Sequence, residues 1–415
     1  MQKHNAPPTD SARLQSADIR AGRCHLCWIF LLLVPILPAC HSFEPPPGTA
    51  EQPAYRTDST VSHFVKSFEV FFRKTFEQAG PPGAAVVLVV DDQILLLKGY
   101  GVSSTQSCQP VGVHTVFRIG SLSKGFAGVL TAILAGQGLV GWDDPVRCHY
   151  PDFMLVDQSQ AERIRIRHLL SHSIGLPYHA FDLLVESGLG IEDIVCDHLP
   201  NTPLYSREGE QHRYQNAAFS IIEPVLEHAA GQSYPDLLRR WILEPAQLLD
   251  ASHTKEGLLS SSDHALPHLL VRDGYVPLTV SDKYYTLASA GGMNLSISDL
   301  GAWLMLLLGN RRDVIPDTCL QHVFTPVVGT ASERNVLPGW IERGQAFYGY
   351  GWRILAQGSD TIAYHSGFVN NYQAEIALDR HRKIGIGVLY NGKSPLKGKV
   401  IQQFFELADL ASIGR

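Results

Sequence analysis

Phe117-Arg118-Ile119-Gly120-Ser121-Leu122-Ser123-Lys124-Gly125-Phe126 is the stretch on which the reading of this 415-residue chain turns. Ser121 and Lys124 stand three residues apart at the head of an apolar run over 126–139. On a helix that spacing puts hydroxyl and amine one turn apart on the same face. A serine hydroxyl is a weak nucleophile at neutral pH and needs a base beside it. A lysine serves once burial makes its ammonium costly and lowers its pKa. Gly120 permits a tight backbone turn into the helix, whose first N–H groups face a developing oxyanion. The same Ser-x-x-Lys spacing recurs at Ser252/Lys255 and Ser394/Lys397, where an N-cap serine beside a solvated lysine accounts for it. Only the first pair opens a long apolar helix.

Upstream of this stretch, Val61, Phe64, Val65, Phe68, Phe71 and Phe72 form a helical stripe over 57–78, closed by Gly80-Pro81-Pro82-Gly83. Two β-rich runs, 84–90 and 94–100, flank Asp91-Asp92-Gln93 and read as a hairpin. Downstream, 142–284 reads as helical segments broken by Pro and Gly turns, with little strand signal. Strand runs return at 347–354, 361–364, 373–378 and 384–390, and a helix over 395–411 closes the chain. Strands at both ends around a helical middle predict an α+β fold. Its antiparallel sheet is built from the two ends of the chain and flanked by the N- and C-terminal helices, with an all-helical region, about 142–284, inserted.

The composition, 45% hydrophobic and 18% charged, supplies a large core and fits one domain with an insertion. A net charge of -6 and the lack of a dense Lys/Arg cluster argue against a nucleic-acid partner. Residues 1–40 read as a signal peptide: Arg20 and Arg23 precede an apolar run of about a dozen residues, too short to span a bilayer. The run ends Leu37-Pro38-Ala39-Cys40, which resembles a bacterial lipoprotein processing site with Cys40 as the lipidated first mature residue. Ordinary signal cleavage and an uncleaved anchor are the alternatives. All three place the body outside the cytoplasm, in the cell envelope; the lipoprotein reading makes it periplasmic and lipid-anchored to a membrane. Residues 41–56, rich in Pro and Gly, read as a tether, and 57–412 as the folded domain.

Cys108, Cys148, Cys196 and Cys319 of the body either form two disulfides, by one of three pairings, or stay as buried free thiols. His168 and His172 have a four-residue spacing that can hold zinc, but no Glu follows His168. They read as structural histidines that cap or tie down a turn. No Cys-x-x-Cys pair lies in the body, so no metal or cofactor is expected.

Three motifs in order carry a resemblance: Ser121-Leu122-Ser123-Lys124, then Tyr214-Gln215-Asn216, then His365-Ser366-Gly367. Together they resemble the serine β-lactamase and penicillin-binding-protein superfamily. The class C β-lactamase-like branch fits best, since it has Tyr-x-Asn where class A enzymes have Ser-Asp-Asn. The resemblance runs from about residue 60 to the C-terminus and implies a β-lactamase/transpeptidase-like fold. It also implies roles. Ser121 is the acylated nucleophile and Lys124 takes its proton. Tyr214 shuttles a proton to the leaving group and helps activate water. Asn216 hydrogen-bonds the substrate's acyl amide. The N–H groups of Ser121 and Phe368 form the oxyanion hole, and His365, Ser366 and Gly367 lie on the substrate-binding strand. Acyl transfer asks for this set independently: a nucleophile, a base, a leaving-group acid and donors at the oxyanion.

One departure stands out. The family's third motif is Lys-Thr-Gly or a close variant, and its lysine attracts a substrate carboxylate. Here a histidine, mostly neutral at pH 7, takes that place. The expected activity is an exported serine hydrolase acting on an amide, a β-lactam or an ester, with a small-molecule or peptidoglycan-derived acyl substrate as its partner. The competing expectation is a non-catalytic envelope lipoprotein that uses the fold for binding.

Overall fold

The structure is a computed structural model and describes residues 59–330, 344–357 and 360–414. The leader, Cys40 and the tether lie outside them. Helix α1 (Ser59–Ala79) precedes a hairpin of β1 (Gly83–Val90) and β2 (Gln93–Gly101). The short β3 (Phe117–Arg118) leads through one 3-10 turn, Gly120–Leu122, into helix α2 (Ser123–Gly136). Short helices follow as far as Lys255–Ser260, and the helices Ala288–Gly291, Ile297–Leu307 and Asp317–Val323 come later. Next come a separate hairpin of β4 (His268–Val271) and β5 (Gly274–Pro277), and then β6 (Asn294–Leu295), which pairs back onto β3. The remaining strands are β7 (Val328–Gly329), β8 (Gln345–Tyr348), β9 (Arg353–Gln357), β10 (Asp360–Val369), β11 (Tyr372–Asp379) and β12 (Ile384–Tyr390). The helix Lys399–Leu410 ends the described chain.

Eight strands make one antiparallel sheet in the order β2-β1-β12-β11-β10-β9-β8-β7, which joins the two ends of the chain as their strand runs predict. The register of β1 on β12 runs from Ala84↔Tyr390 to Val90↔Ile384 without a slip. Every residue of β1, β11 and β12 is buried, because both faces of the sheet are covered. Ala84, Val86 and Leu88 point to the face packed by Phe64, Phe68 and Phe72 of α1 and Phe404 of the C-terminal helix. The Phe64 and Phe404 ring centroids lie 5.7 Å apart. Ala85, Val87 and Val89 point the other way, into the core that holds Phe126 of α2 stacked 4.0 Å from Trp303. Burying each such side chain is worth roughly 1.5–3 kcal/mol, so the alternation pins the register of the central strand.

Three readings of the sequence need correction. The middle region is not purely helical: β4 and β5 pair within it. Their signal was present, since Leu269-Leu270-Val271 and Tyr275-Val276 flank Asp273-Gly274, and Gly274 sits at φ +123°. The run 347–354 is two strands, β8 and β9, with the chain turning between them through Gly349, Tyr350, Gly351 and Trp352. Cys148, Cys196 and Cys319 are free thiols, so the four body cysteines do not form two disulfides among themselves, and only Cys319 of these three is buried. Among the described residues no helix is long and apolar enough to cross a membrane.

Candidate active site

Ser121 sits in the 3-10 turn that feeds α2, and β10 passes directly across it. Gly120 adopts φ +51°, and a Cβ there would stand 2.9 Å from the Phe368 nitrogen. A Cβ on Gly367 would lie 1.9 Å from the Ile119 carbonyl oxygen and 2.9 Å from the Ser121 nitrogen. Only glycine fits at either place, and the two backbones meet there with no side chain between them. Ser123 fixes the turn from behind: its Oγ donates to the Gly120 carbonyl at 2.7 Å and accepts from the Met293 N–H at 3.2 Å. The Phe368 side chain is half exposed, so what this residue brings to the nucleophile is its backbone.

Lys124, in the first turn of α2, is completely buried. Its Nζ lies 3.5 Å from Ser121 Oγ and donates at 2.7 Å to Asn216 Oδ1 and at 2.7 Å to the Ala290 carbonyl. Burial drives its pKa well below the ordinary lysine value; the Asp182 carboxylate opposes that, and the Arg353 cation adds to it. The other two Ser-x-x-Lys pairs show none of this. Ser252 Oγ accepts from Asn294 Nδ2, while Lys255 pairs with Asp282 at 3.0 Å. Ser394 Oγ accepts from the Leu396 N–H.

Tyr214 is buried on an extended segment that leads into the helix Asn216–Ser220. Its ring lies 4.8 Å from Lys124 Nζ and 5.2 Å from the Arg353 guanidinium carbon. Two histidines clamp the segment. The His172 carbonyl accepts from the Arg213 N–H at 2.9 Å, and His172 Nδ1 accepts from the Gln215 N–H at 3.2 Å. The His179 N–H donates to the Tyr214 carbonyl at 2.8 Å. His172 and His179 take φ of 55° and 54°, a left-handed conformation that L-residues adopt at a cost and that clusters at functional sites. His168 is the capping histidine of its pair: its Nδ1 accepts from the Arg165 N–H at 3.1 Å, and burial pushes its pKa down to about 4.

Asn216 links the base to the cleft. Its Oδ1 accepts from Lys124, and its Nδ2 donates to Asp182 Oδ1 at 3.0 Å and to the Tyr284 hydroxyl at 3.2 Å. Both amide N–H groups are therefore already directed at acceptors.

His365 departs from expectation. Its ring is almost fully buried rather than open to substrate. Burial first, then the Arg353 and Lys124 cations, hold its pKa well below the usual imidazole value, so it is neutral. The partners fix a directed chain. Gln215 N–H donates to His172 Nδ1, leaving the proton on Nε2, which faces the Tyr348 hydroxyl at 3.2 Å. Tyr348 in turn donates to His365 Nε2 at 3.0 Å, and Arg353 Nη1 approaches the same nitrogen at 3.2 Å. His365 Nδ1 carries the proton, 2.9 Å from the Ser366 carbonyl. His365 thus acts on the cleft through Arg353, which lines it together with Ser121, Tyr214, Asn216, Asp182 and Ser366 around a volume of about 570 Å³.

The sequence missed Arg353 and Asp182. Arg353 follows directly on the Gly349–Trp352 turn, opposite Tyr348 and Tyr364 in register, so the paired strands would have placed it. Asp182 lies in a loop-borne helix, Asp182–Glu186, with no motif to mark it.

A serine against a buried amine, beside a phenol and two meeting backbones in one cleft, is the arrangement that the three motifs resembling the serine β-lactamase and penicillin-binding-protein superfamily call for. The chain belongs to the Beta-lactamase family, whose pattern it matches over residues 59–407. It is 26% identical over 325 residues to Protein flp of Staphylococcus aureus (strain MW2), covering 77% of this chain and 62% of that protein. It is also 26% identical over 340 residues to Unguisins hydrolase ungD of Aspergillus violaceofuscus, covering 75% of this chain and 58% of the relative. The chain thus spans about three fifths of these relatives' lengths. Among solved structures, the octameric penicillin-binding protein homologue from Pyrococcus abyssi shares the fold, with a TM-score of 0.72 at 23% identity over 84% of this chain and 77% of that one.

Proposed function

We propose that this protein hydrolyses an amide or ester, a strained β-lactam amide included, through an acyl-enzyme on Ser121. The observation that carries the reading is Lys124 Nζ, fully buried and 3.5 Å from Ser121 Oγ. Burial favours the neutral amine, which accepts the serine proton as Oγ attacks the carbonyl carbon. The oxyanion forms against the N–H groups of Ser121 and Phe368, each such donor being worth about 2.7–4 kcal/mol. The carbon–leaving-group bond then breaks, and the leaving atom takes a proton relayed through Tyr214. Water enters, loses a proton to the same amine–phenol pair and attacks the ester carbonyl. The acid leaves and Ser121 Oγ regains its proton, so the net change is addition of one water across the acyl bond.

Arg353 supplies the cation that His365 lacks. It lines the cleft, and a guanidinium binds a carboxylate in bidentate fashion. This favours substrates with a carboxylate on the leaving side. The name of the fungal relative, a hydrolase, supports the same reaction class. The basic and apolar leader ending at Cys40 supports export to the envelope and lipid anchoring, which radiolabelled palmitate incorporation lost in Cys40→Ala tests. A fluorophosphonate probe tests the hydrolase: it labels wild type and not Ser121→Ala. Equal labelling of the two removes Ser121 from its role.

A further inference from the structure

We infer that the ion pair Lys283–Glu186 bars the mouth of this cleft on the acyl side and limits the bulk of the acyl group it admits. The inference rests on the proposed hydrolase reading and deepens it. Two segments converge on Asn216: Asp182, which opens the helix Asp182–Glu186, and Tyr284 each accept from its Nδ2. One helical turn beyond Asp182 stands Glu186, and next to Tyr284 stands Lys283. These two meet, with Lys283 Nζ donating to Glu186 Oε2 at 2.6 Å, and both line the cleft. Asn216 is buried, whereas the Lys283 and Glu186 side chains are 44% and 36% exposed. The path from Asn216 to the pair therefore runs from the floor of the cleft to its mouth. An acyl group held at Asn216 and extended outward meets the pair.

The two ends of the pair are held unequally. Arg118, three residues before the nucleophile, is buried and donates to the Ser281 carbonyl at 3.0 Å and to the Lys283 carbonyl. Its guanidinium also lies over the Tyr285 ring, 3.9 Å from the centroid. Asn370, in the turn between β10 and β11, accepts from the Ser281 N–H at 2.8 Å. Lys283 is thus tied through its backbone to the wall that carries Ser121. Asp282, its neighbour in the chain, pairs with Lys255 instead. The helix that carries Glu186 is seated more lightly. Val185 is the buried residue of its five, and Leu183 is exposed. The chain enters this helix through Phe181 at φ +70° and leaves it through Gly188 at φ +97°. Bulk in the cleft therefore displaces the glutamate end. An ion pair this open to water is weak and screened by salt, so it disfavours bulky acyl groups by no more than about fivefold.

The test uses the full chain and two esters, p-nitrophenyl acetate and p-nitrophenyl phenylbutyrate, whose acyl arm ends in a ring. Hydrolysis of the acetate that is lost in Ser121→Ala establishes the hydrolase by itself, and its absence sinks that parent reading rather than this one. With the hydrolase established, the readout is the ratio of kcat/KM for the phenylbutyrate to that for the acetate. Lys283→Ala and Glu186→Gln should each raise the ratio about three- to fivefold. Lys283→Glu, which sets two carboxylates against each other, should raise it at least as much. The charge-swapped double variant Lys283→Glu/Glu186→Lys should return it to the wild-type value, which loss of bulk at either position would not do. In wild type the ratio should also rise with sodium chloride, as the screening length falls from about 10 Å at about 0.1 M to about 3 Å at about 1 M, and Lys283→Ala should lack that rise. An unmoved ratio in both single variants, a double variant as permissive as the singles, or the same salt response in wild type and Lys283→Ala overturns the inference.

Discussion

The two walls of the cleft are built in opposite ways. On one, the Ser121 turn and β10 meet backbone to backbone, and the fit leaves no room for a single added carbon at Gly120 or Gly367. On the other, side chains share the work: His172 Nδ1 joins two backbone hydrogen bonds from His172 and His179 in clamping the Tyr214 segment, Lys124 Nζ donates to Asn216, and the Tyr348–His365 pair steadies Arg353. In the proposed reaction the first wall fixes where the oxyanion forms, and a hole that binds charge must not move. The second holds the groups to which that reaction assigns proton transfer and substrate binding. Hydrogen bonds can be re-paired there without rebuilding a strand. Arg353, on the strand paired with that of His365, puts a cation on this wall where the third motif has a neutral histidine.

That contrast breaks most easily at the base. Lys124→Ala should lower kcat/KM on the order of 10³-fold or more, with a loss that does not add to that of Tyr214→Phe, because the two serve one proton path. Steady-state kinetics of the two single variants and the double variant measure it. Additive losses would separate the residues. Next comes the backbone wall. Gly367→Ala should cost on the order of 10²-fold in kcat/KM, since the added carbon forces the strand off the turn and misplaces the oxyanion donors. Full activity in this variant would show that the fit is looser than the contact distances require.

The side-chain wall should yield more gently. Tyr348→Phe removes the hydroxyl between His172 and His365 and should cost about tenfold, mostly in KM for carboxylate-bearing substrates, as Arg353 loses its backing. The KM-against-kcat split for carboxylate and neutral esters reads this directly. An effect on stability rather than on turnover lies behind the backbone wall, at Glu375 on β11, opposite Ser366. Its Oε1 accepts from the Tyr364 hydroxyl and the Gly398 N–H, while burial raises its pKa to about 7. The folded state therefore holds a proton that the unfolded chain releases from pH 4.5 upward, so the stability it confers is lost as pH rises through 7. Glu375→Gln should exceed wild type by on the order of 2 kcal/mol at pH 8.5 and by less at pH 5, in urea unfolding. An equal difference at both pH values would contradict the shift.

The backbone wall was the legible one. Gly120, Ser121 and Lys124 are neighbours in sequence, and helix geometry alone brings hydroxyl to amine. The α1 stripe, the first hairpin and the central strands were legible for a related reason: periodic apolar residues on two covered faces leave little choice of register. Asp182 was not legible, since no local pattern distinguishes it from any other loop acid, and the reading of His172 as a structural histidine did not extend to its hold on the distant Tyr214 segment. Arg353 was missed although its place after the Gly349–Trp352 turn, opposite Tyr348 and Tyr364, follows from the strand pairing. His365 misled because motif position predicts which strand a residue occupies, not whether a neighbouring tyrosine and arginine enclose it.

Intact-mass spectrometry with peptide mapping tests the central claim most directly. The protein is quenched seconds after mixing with an activated ester, a penicillin or a D-alanyl-D-alanine peptide. The account predicts an added acyl mass on the peptide that carries Ser121 for at least one donor, and none in Ser121→Ala. An adduct that persists in Ser121→Ala, or that maps to another residue, would contradict it.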